Sequence, residues 1–194
     1  MLGYAVVDVE TTGFTPSAGE IVEVAIVQTD VGGVVTGSWD TLVRPLGRVS
    51  GTHVHRITPR MVRDAPTFTD ISAQIRSMLA GRVVVAHNLP FDARFLTAQL
   101  HAAGLPTPEI AAGVCTLKLA RRTLSGPTFK LPDCCYELGI PYEGAHAALA
   151  DTLATAQLFR HLITARPVPT ARPVPELSVP AQRTAPPRLS RASR

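Results

Sequence analysis

Long apolar runs are missing. Nothing in the 194 residues approaches the roughly 20 consecutive apolar residues that cross a bilayer. Cysteine is scarce, and its pattern excludes two classes at once. Cys115, Cys134 and Cys135 are odd in number, include an adjacent pair and form no Cys-x-x-Cys. That is neither a disulfide framework nor a cysteine zinc site, so a reducing cytoplasm is the expected compartment. No basic stretch precedes the first apolar run, and Asp8 and Glu10 interrupt it, so no secretory leader is expected. No Gly-rich loop ending in Lys-Ser/Thr is present, which argues against triphosphate hydrolysis by that route. The absence with most consequence is of positive charge: residues 1–43 contain no lysine or arginine.

What is present fits a globular chain, with 45% hydrophobic and 18% charged residues. The net charge of +4 is unevenly spread, since residues 165–194 carry +5 and the remainder −1. The basic character therefore belongs to the end of the chain. That end holds seven of the 17 prolines and part of a six-residue repeat, Thr-Ala-Arg-Pro-Val-Pro at 164–169 and again at 170–175. Proline at this density blocks helix and sheet and favours extended chain. Residues 165–194 are expected to be a disordered Pro/Arg-rich tail or linker. It is either simply solvated or an arm that attracts phosphates or tethers a partner.

Residues 1–164 read as one mixed α/β domain. Residues 4–9 form a short buried strand, 20–30 and 34–43 two more, joined by a hairpin through Val31-Gly32-Gly33. Residues 45–56 look irregular. Ile71, Ile75, Met78 and Leu79 recur at helical spacing over 68–79, ahead of Gly81. A buried strand follows at 82–86, and Asn88 can cap a helix reaching Gly104. Further helices are expected over 115–124, 131–138 and from His146 or Ala147 to about 164. A strand meander followed by β-α alternation implies one mixed sheet covered by helices.

The run Val6-Val7-Asp8-Val9-Glu10 places two carboxylates on one face of a strand, because alternate residues point the same way. At about 4 Å they repel by about 4 kcal/mol at an effective dielectric of 20. A shared proton would relieve this, and so would a divalent cation, for which hard oxygen ligands suit Mg²⁺ or Mn²⁺. Two further fragments carry acids at helix starts. His87-Asn88-Leu89-Pro90-Phe91-Asp92 sits where a strand ends and a helix begins, and His146-Ala147-Ala148-Leu149-Ala150-Asp151 opens the last helix. Each also fits ordinary helix-dipole chemistry.

Taken together, Asp-x-Glu-x-Thr-Gly, His-Asn-x-x-Phe-Asp and His-x-Ala-x-x-Asp, in this order, resemble the DEDDh subgroup of the DnaQ-like 3′–5′ exonucleases, to which the polymerase III epsilon proofreading subunits belong. The resemblance spans about residues 4–164. "VHRIT" at 54–58 is similar to the family's His-Gly-Ile-Thr loop, with Arg56 in place of the glycine. "CTLKLAR" at 115–121 and "KLPDCCYELGI" at 130–140 look like the segments before the last motif.

The resemblance implies an RNase H-like fold, a five-stranded mixed sheet flanked by helices, with residues 1–164 as the exonuclease domain. It implies two divalent cations, Mg²⁺ or Mn²⁺, held by Asp8, Glu10, Asp92 and Asp151, with His146 as general base. Thr11 and Thr12 would hold the terminal nucleotide. Phe14 would stack on its base or anchor the loop, His55 would lie at the cleft, and Asn88 would touch the strand or only cap its helix. The expected substrate is the single-stranded or frayed 3′ end of DNA, with a DNA polymerase as partner and no membrane. The alternatives are an RNA-trimming exonuclease of the same fold and a non-catalytic module that grips 3′ ends or a polymerase. His53 and His55 form a His-x-His pair, but no cysteine lies nearby to complete a zinc site.

Overall fold

The computed structural model describes residues 2–142, 147–165 and 172–176. Strand β1 (Gly3–Thr11) is the middle strand of the sheet: it pairs antiparallel with β2 (Ile21–Thr29) and parallel with β4 (Arg82–Ala86). β3 (Val35–Leu42) adds antiparallel to β2, and β5 (Val114–Cys115) adds parallel to β4. The order is β3-β2-β1-β4-β5. This is the expected five-stranded mixed sheet.

Alternation along β1 divides the core. Ala5, Val7 and Val9 face a cluster with Ile75 and Leu79 of α2 (Phe68–Leu79) and Phe95, Leu96 and Leu100 of α3 (Leu89–Ala102). Tyr4 and Val6 face the opposite cluster. It is built by α4 (Thr116–Thr123), α5 (Leu131–Glu137) and Leu158, Phe159 and Leu162 of α6 (Ala148–Ala165). The Tyr4 ring meets Phe159 edge-on, 4.6 Å between centroids. Full burial of a side chain as large as Phe159 contributes about 1.5–3 kcal/mol. By the same alternation Asp8 and Glu10 point toward the α6 layer.

Several local expectations hold. Asp30 builds the β2–β3 turn, its Oδ1 accepting from the Gly32 and Val34 N–H groups at 2.9 and 2.8 Å. α2 covers the expected residues 68–79, and the structure adds a reciprocal capping box between Thr67 and Asp70 at its start. Others are corrected. The segment read as irregular contains a single helical turn, α1 (Thr52–His55), and Cys115, expected to begin a helix, belongs to the short β5, which follows a 3-10 turn at Pro108–Ala112. Asn88 occupies the N-cap position of α3, but its side chain makes no capping bond. Its backbone is left-handed, φ 73°.

The expectation of a disordered tail does not hold for residues 172–176. Val174 is fully buried, its N–H donates to the Arg82 carbonyl at 2.8 Å and its carbonyl accepts from Gly81 at 2.7 Å. An Arg76 guanidinium nitrogen donates to the Pro175 carbonyl at 2.8 Å. Two prolines flank one residue that keeps its N–H, so Val174 alone can pair in both directions. His146 and the rest of the tail lie outside the described residues.

Candidate active site

The first carboxylates stand at the C-terminal end of β1. A register shift falls between Glu10 and Thr11, where β1 stops pairing regularly with β2. The chain then turns tightly through residues 12–19. A Cβ on Gly19 would lie 2.4 Å from the Gly13 nitrogen, and one on Gly13 would lie 2.7 Å from the Ala18 carbonyl oxygen. Glycine is thus required at both positions for the two backbones to meet.

Asp8, Glu10 and Asp151 each offer an oxygen, and the three oxygens lie within 4.8 Å of one another. Asp151 comes from the first turn of α6, which crosses β1 and β2. Asp92 arrives from the other helical layer, at the first turn of α3. It is buried, and its Oδ1 accepts the Val9 N–H at 3.2 Å. The structure therefore brings all four predicted acids to one strand end, three as a compact triangle and Asp92 beside it.

The electrostatics match that crowding. Burial raises the Asp8 pKa well above 3.8, with further repulsion from Asp92, Asp151, Glu10 and Glu23. Burial pushes Glu10 from 4.5 to about 8, and Asp151 and Glu23 add to it. Asp92 is likewise pushed from 3.8 to about 8, mainly by burial. Every charge acting on Asp8 among the described residues is another carboxylate. An all-oxygen donor set with its charge uncompensated is the arrangement a hard divalent cation satisfies.

Two supporting residues carry no sequence signal. Glu23 pairs with Glu10 across the β1–β2 ladder. Its Oε2 accepts the Ala148 N–H at 3.0 Å, which ties the start of α6, and with it Asp151, to the sheet. Tyr142 donates its hydroxyl to Asp151 Oδ1 at 2.7 Å. Burial raises the Tyr142 pKa, the bond to Asp151 adds to this, and the phenol stays a donor. No local pattern marks either residue, because Ala148 lies far along the chain from Glu23 and Asp151 is nine residues beyond Tyr142.

A cleft of about 200 Å³ opens beside the acids, lined by Glu10, Thr11, Thr12, Phe14, His55 and Phe91 among others. The expected substrate residues therefore meet here, apart from Asn88, which does not line this cleft and is exposed at the head of α3. Their chemistry differs from expectation in places. The Thr11 hydroxyl donates to the Gly13 carbonyl, and the Thr12 N–H donates to the Glu20 carbonyl, so these donors are already engaged. His55 is buried, with Nδ1 accepting from Ile57 N–H and Nε2 facing the Ser50 carbonyl, which requires Nε2 to carry the proton. It shapes the wall of the cleft with both nitrogens occupied, and cannot also ligate zinc. Phe14 is 83% exposed, so it is no core anchor.

A mixed sheet with four acids gathered at the end of its central strand defines a carboxylate-lined nuclease-type centre. Comparison with known proteins places it further. Residues 5–159 match the family model described as exonuclease, and the chain belongs to that family. It is 38% identical over 174 residues to a DNA polymerase III subunit epsilon-like protein of Rhodobacter capsulatus, covering 84% of this chain and 24% of that one. It is 29% identical to the DNA polymerase III subunit epsilon of Aquifex aeolicus, covering 80% of this chain and 78% of that one. The chain thus spans about a quarter of the first relative's length. Among solved structures, exonuclease X in complex with 5′ overhanging duplex DNA superposes with a TM-score of 0.68 at 30% identity, covering 83% and 91% of the two chains. E. coli exonuclease I with a dT13 oligonucleotide shares the fold, with a TM-score of 0.74 at 20% identity over 84% and 41%. Among the described residues no helix is long and apolar enough to cross a membrane.

Proposed function

We propose that this chain is a metal-dependent 3′–5′ exonuclease that releases 5′-mononucleotides from DNA ends. The carrying observation is the convergence of Asp8, Glu10 and Asp151 within 4.8 Å, with Asp92 buried beside them. Asp8, Glu10, Asp92 and Asp151 would hold two divalent cations, Mg²⁺ or Mn²⁺. When bound, such ions lower the pKa of a coordinated water and offset charge on the phosphate and the leaving 3′-oxygen.

The chain's own groups supply the rest. His146, two residues before α6 begins, takes the proton of the attacking water as general base. Tyr142 and Glu23 hold Asp151 in place, one through its carboxylate and the other through its helix. Phe14 and Phe91 line the cleft where the terminal base would stack, an interaction that tolerates any sequence. Water is displaced from that end while the strand's phosphate faces the acids. The names of the epsilon relatives support a DNA polymerase as partner.

The test is a digestion of 5′-labelled DNA and RNA oligonucleotides with Mg²⁺, Mn²⁺ or EDTA. The expected result is a ladder shortening from the 3′ end of DNA, abolished by EDTA and by Asp8→Ala. A faster ladder on RNA would move the assignment to an exoribonuclease. Unchanged DNA with every metal, alongside intact binding of 3′ ends, would reduce the chain to a binding module.

A further inference from the structure

The body of the protein is slightly acidic overall, yet one stretch is not. Residues 44–63 contain Arg44, Arg48, Arg56, Arg60 and Arg63, with His53 and His55, and no aspartate or glutamate. All five arginines are exposed. Among the described residues none of them makes a salt bridge, and only Arg44 is near enough to an acid to help lower its pKa, that of Asp70.

These arginines do not hold the segment together. An apolar satellite core does, in which Ile57 and Val62 pack on Val22, with Val49 at its margin. The His55 ring pins the single helical turn to Ser50 and Ile57. Glu20 accepts the Leu46 and Gly47 N–H groups at 2.7 and 2.9 Å. Only Arg44 has an internal role, donating through Nε to the Ala65 carbonyl at 3.3 Å. The other four side chains make no hydrogen bond or salt bridge among the described residues.

Their placement is directed. Arg44, Arg48 and Arg63 line one recess of about 580 Å³, together with Val49 and Pro59. Two residues beyond Val49, Gly51 begins the wall of the substrate cleft, followed by His53, Val54 and His55. Arg56 comes next, at φ 61°, a left-handed conformation that residues with a Cβ rarely adopt. Arg56 and Arg60 thus fall, both exposed, on the segment that joins the cleft wall at His55 to the recess wall at Pro59 and Arg63. Guanidinium groups match phosphate oxygens bidentately and are weakly hydrated, so the chemistry suited to these arginines is a phosphodiester backbone.

We propose that Arg48, Arg56, Arg60 and Arg63 form a sequence-independent clamp for the phosphodiester backbone upstream of the 3′ end held in the cleft. This rests on the nuclease reading for its direction along the strand, but its binding readout does not need cleavage. The clamp divides the labour of recognition. The acids and the aromatic cleft act on the terminal nucleotide, and the arginines act on the strand behind it.

The test compares full-length wild-type chain with R48A/R60A/R63A and with R48K/R60K/R63K. Affinity for a labelled 20-nucleotide single strand is measured in EDTA over a series of salt concentrations. For a single strand, each phosphate neutralised by the protein contributes about −0.7 to the slope of log K against log salt, through counterion release. The alanine triple is expected to lower the slope by about 2, and the lysine triple to keep it. In Mg²⁺, the ratio of kcat/KM on the 20-mer to that on a dinucleotide is expected to fall about tenfold or more in the alanine triple. An unchanged slope overturns the clamp, and so does an equal loss on both substrate lengths. Loss of poly-glutamate binding with an unchanged oligonucleotide slope would assign the arginines to an acidic protein instead, and also overturns it. If wild-type chain cleaves neither substrate, the nuclease reading fails while the salt slopes still decide the clamp.

Discussion

Proton and metal occupancy of the acid cluster should be linked to folding, and the size of that linkage can be worked out. In the metal-free chain Glu10 is pushed from 4.5 to about 8 and Asp92 from 3.8 to about 8. Between about pH 4.5 and 8 the folded state therefore holds protons that the unfolded state has released. Stability then falls as pH rises through that window, because the slope of the unfolding free energy follows the excess of protons on the unfolded chain, here negative. Each unit of pKa displacement corresponds to 1.36 kcal/mol, so Glu10 alone sets a ceiling of about 5 kcal/mol. Partial access to solvent reduces this, and about 2 kcal/mol is a working figure. A cation replaces the protons as the compensating charge. At 100 times its dissociation constant it adds about 2.7 kcal/mol, or about 5–11 °C in Tm for a chain of this size. The assay is thermal unfolding at pH 5.5, 7 and 8.5, in EDTA and in Mn²⁺. The EDTA series should fall with pH, and the Mn²⁺ increment should be largest at pH 8.5 because protons no longer compete for the oxygens. Asp8→Asn should raise the EDTA Tm at pH 8.5 and remove most of the Mn²⁺ increment. A Tm independent of pH together with an equal Mn²⁺ increment at every pH would refute the reasoning.

Three further outcomes follow from individual contacts. Tyr142→Phe removes the donor to Asp151 Oδ1 and should cost about 10–100-fold in Mn²⁺ affinity, read by titration calorimetry, with the fold intact by circular dichroism. Phe14→Ala should raise KM on single strands by about 5–100-fold with little change in kcat, since base stacking is worth about 1–3 kcal/mol and Phe14 holds up nothing in the core. Arg56→Gly relieves the left-handed backbone and should stabilise the chain by up to about 1 kcal/mol in urea unfolding, while weakening oligonucleotide binding at low salt.

Much of this protein is legible in its sequence, and the legible parts share a cause. The strand at Asp8 and Glu10, the hairpin at Gly32-Gly33 and the α2 helix are written in short-range periodicity and turn chemistry. Motif order was enough to bring Asp92 and Asp151 into the reading. The substrate residues were legible as positions but less so as chemistry. Thr12 and His55 line the cleft as expected, while Glu20, Ser50 and Ile57 occupy their polar atoms. Asn88 is a capping residue by type, yet its backbone is left-handed and its side chain makes no capping bond.

Alternation by itself determined that Asp8 and Glu10 share a face, because the geometry of a strand is settled within two residues. The absence of cations from residues 1–43 determined that their compensation had to come from elsewhere. Only the tertiary structure decided what stands around them. The β1–β2 register sets Glu23 opposite Glu10, the Glu23 carboxylate holds the start of α6, and Tyr142 orients Asp151. It also decided that Val174 closes on the Ala80–Arg82 corner instead of leaving the tail wholly in solvent. Each of these contacts joins residues whose separation in the chain carries no periodic signal, so it exists only once the layers have packed.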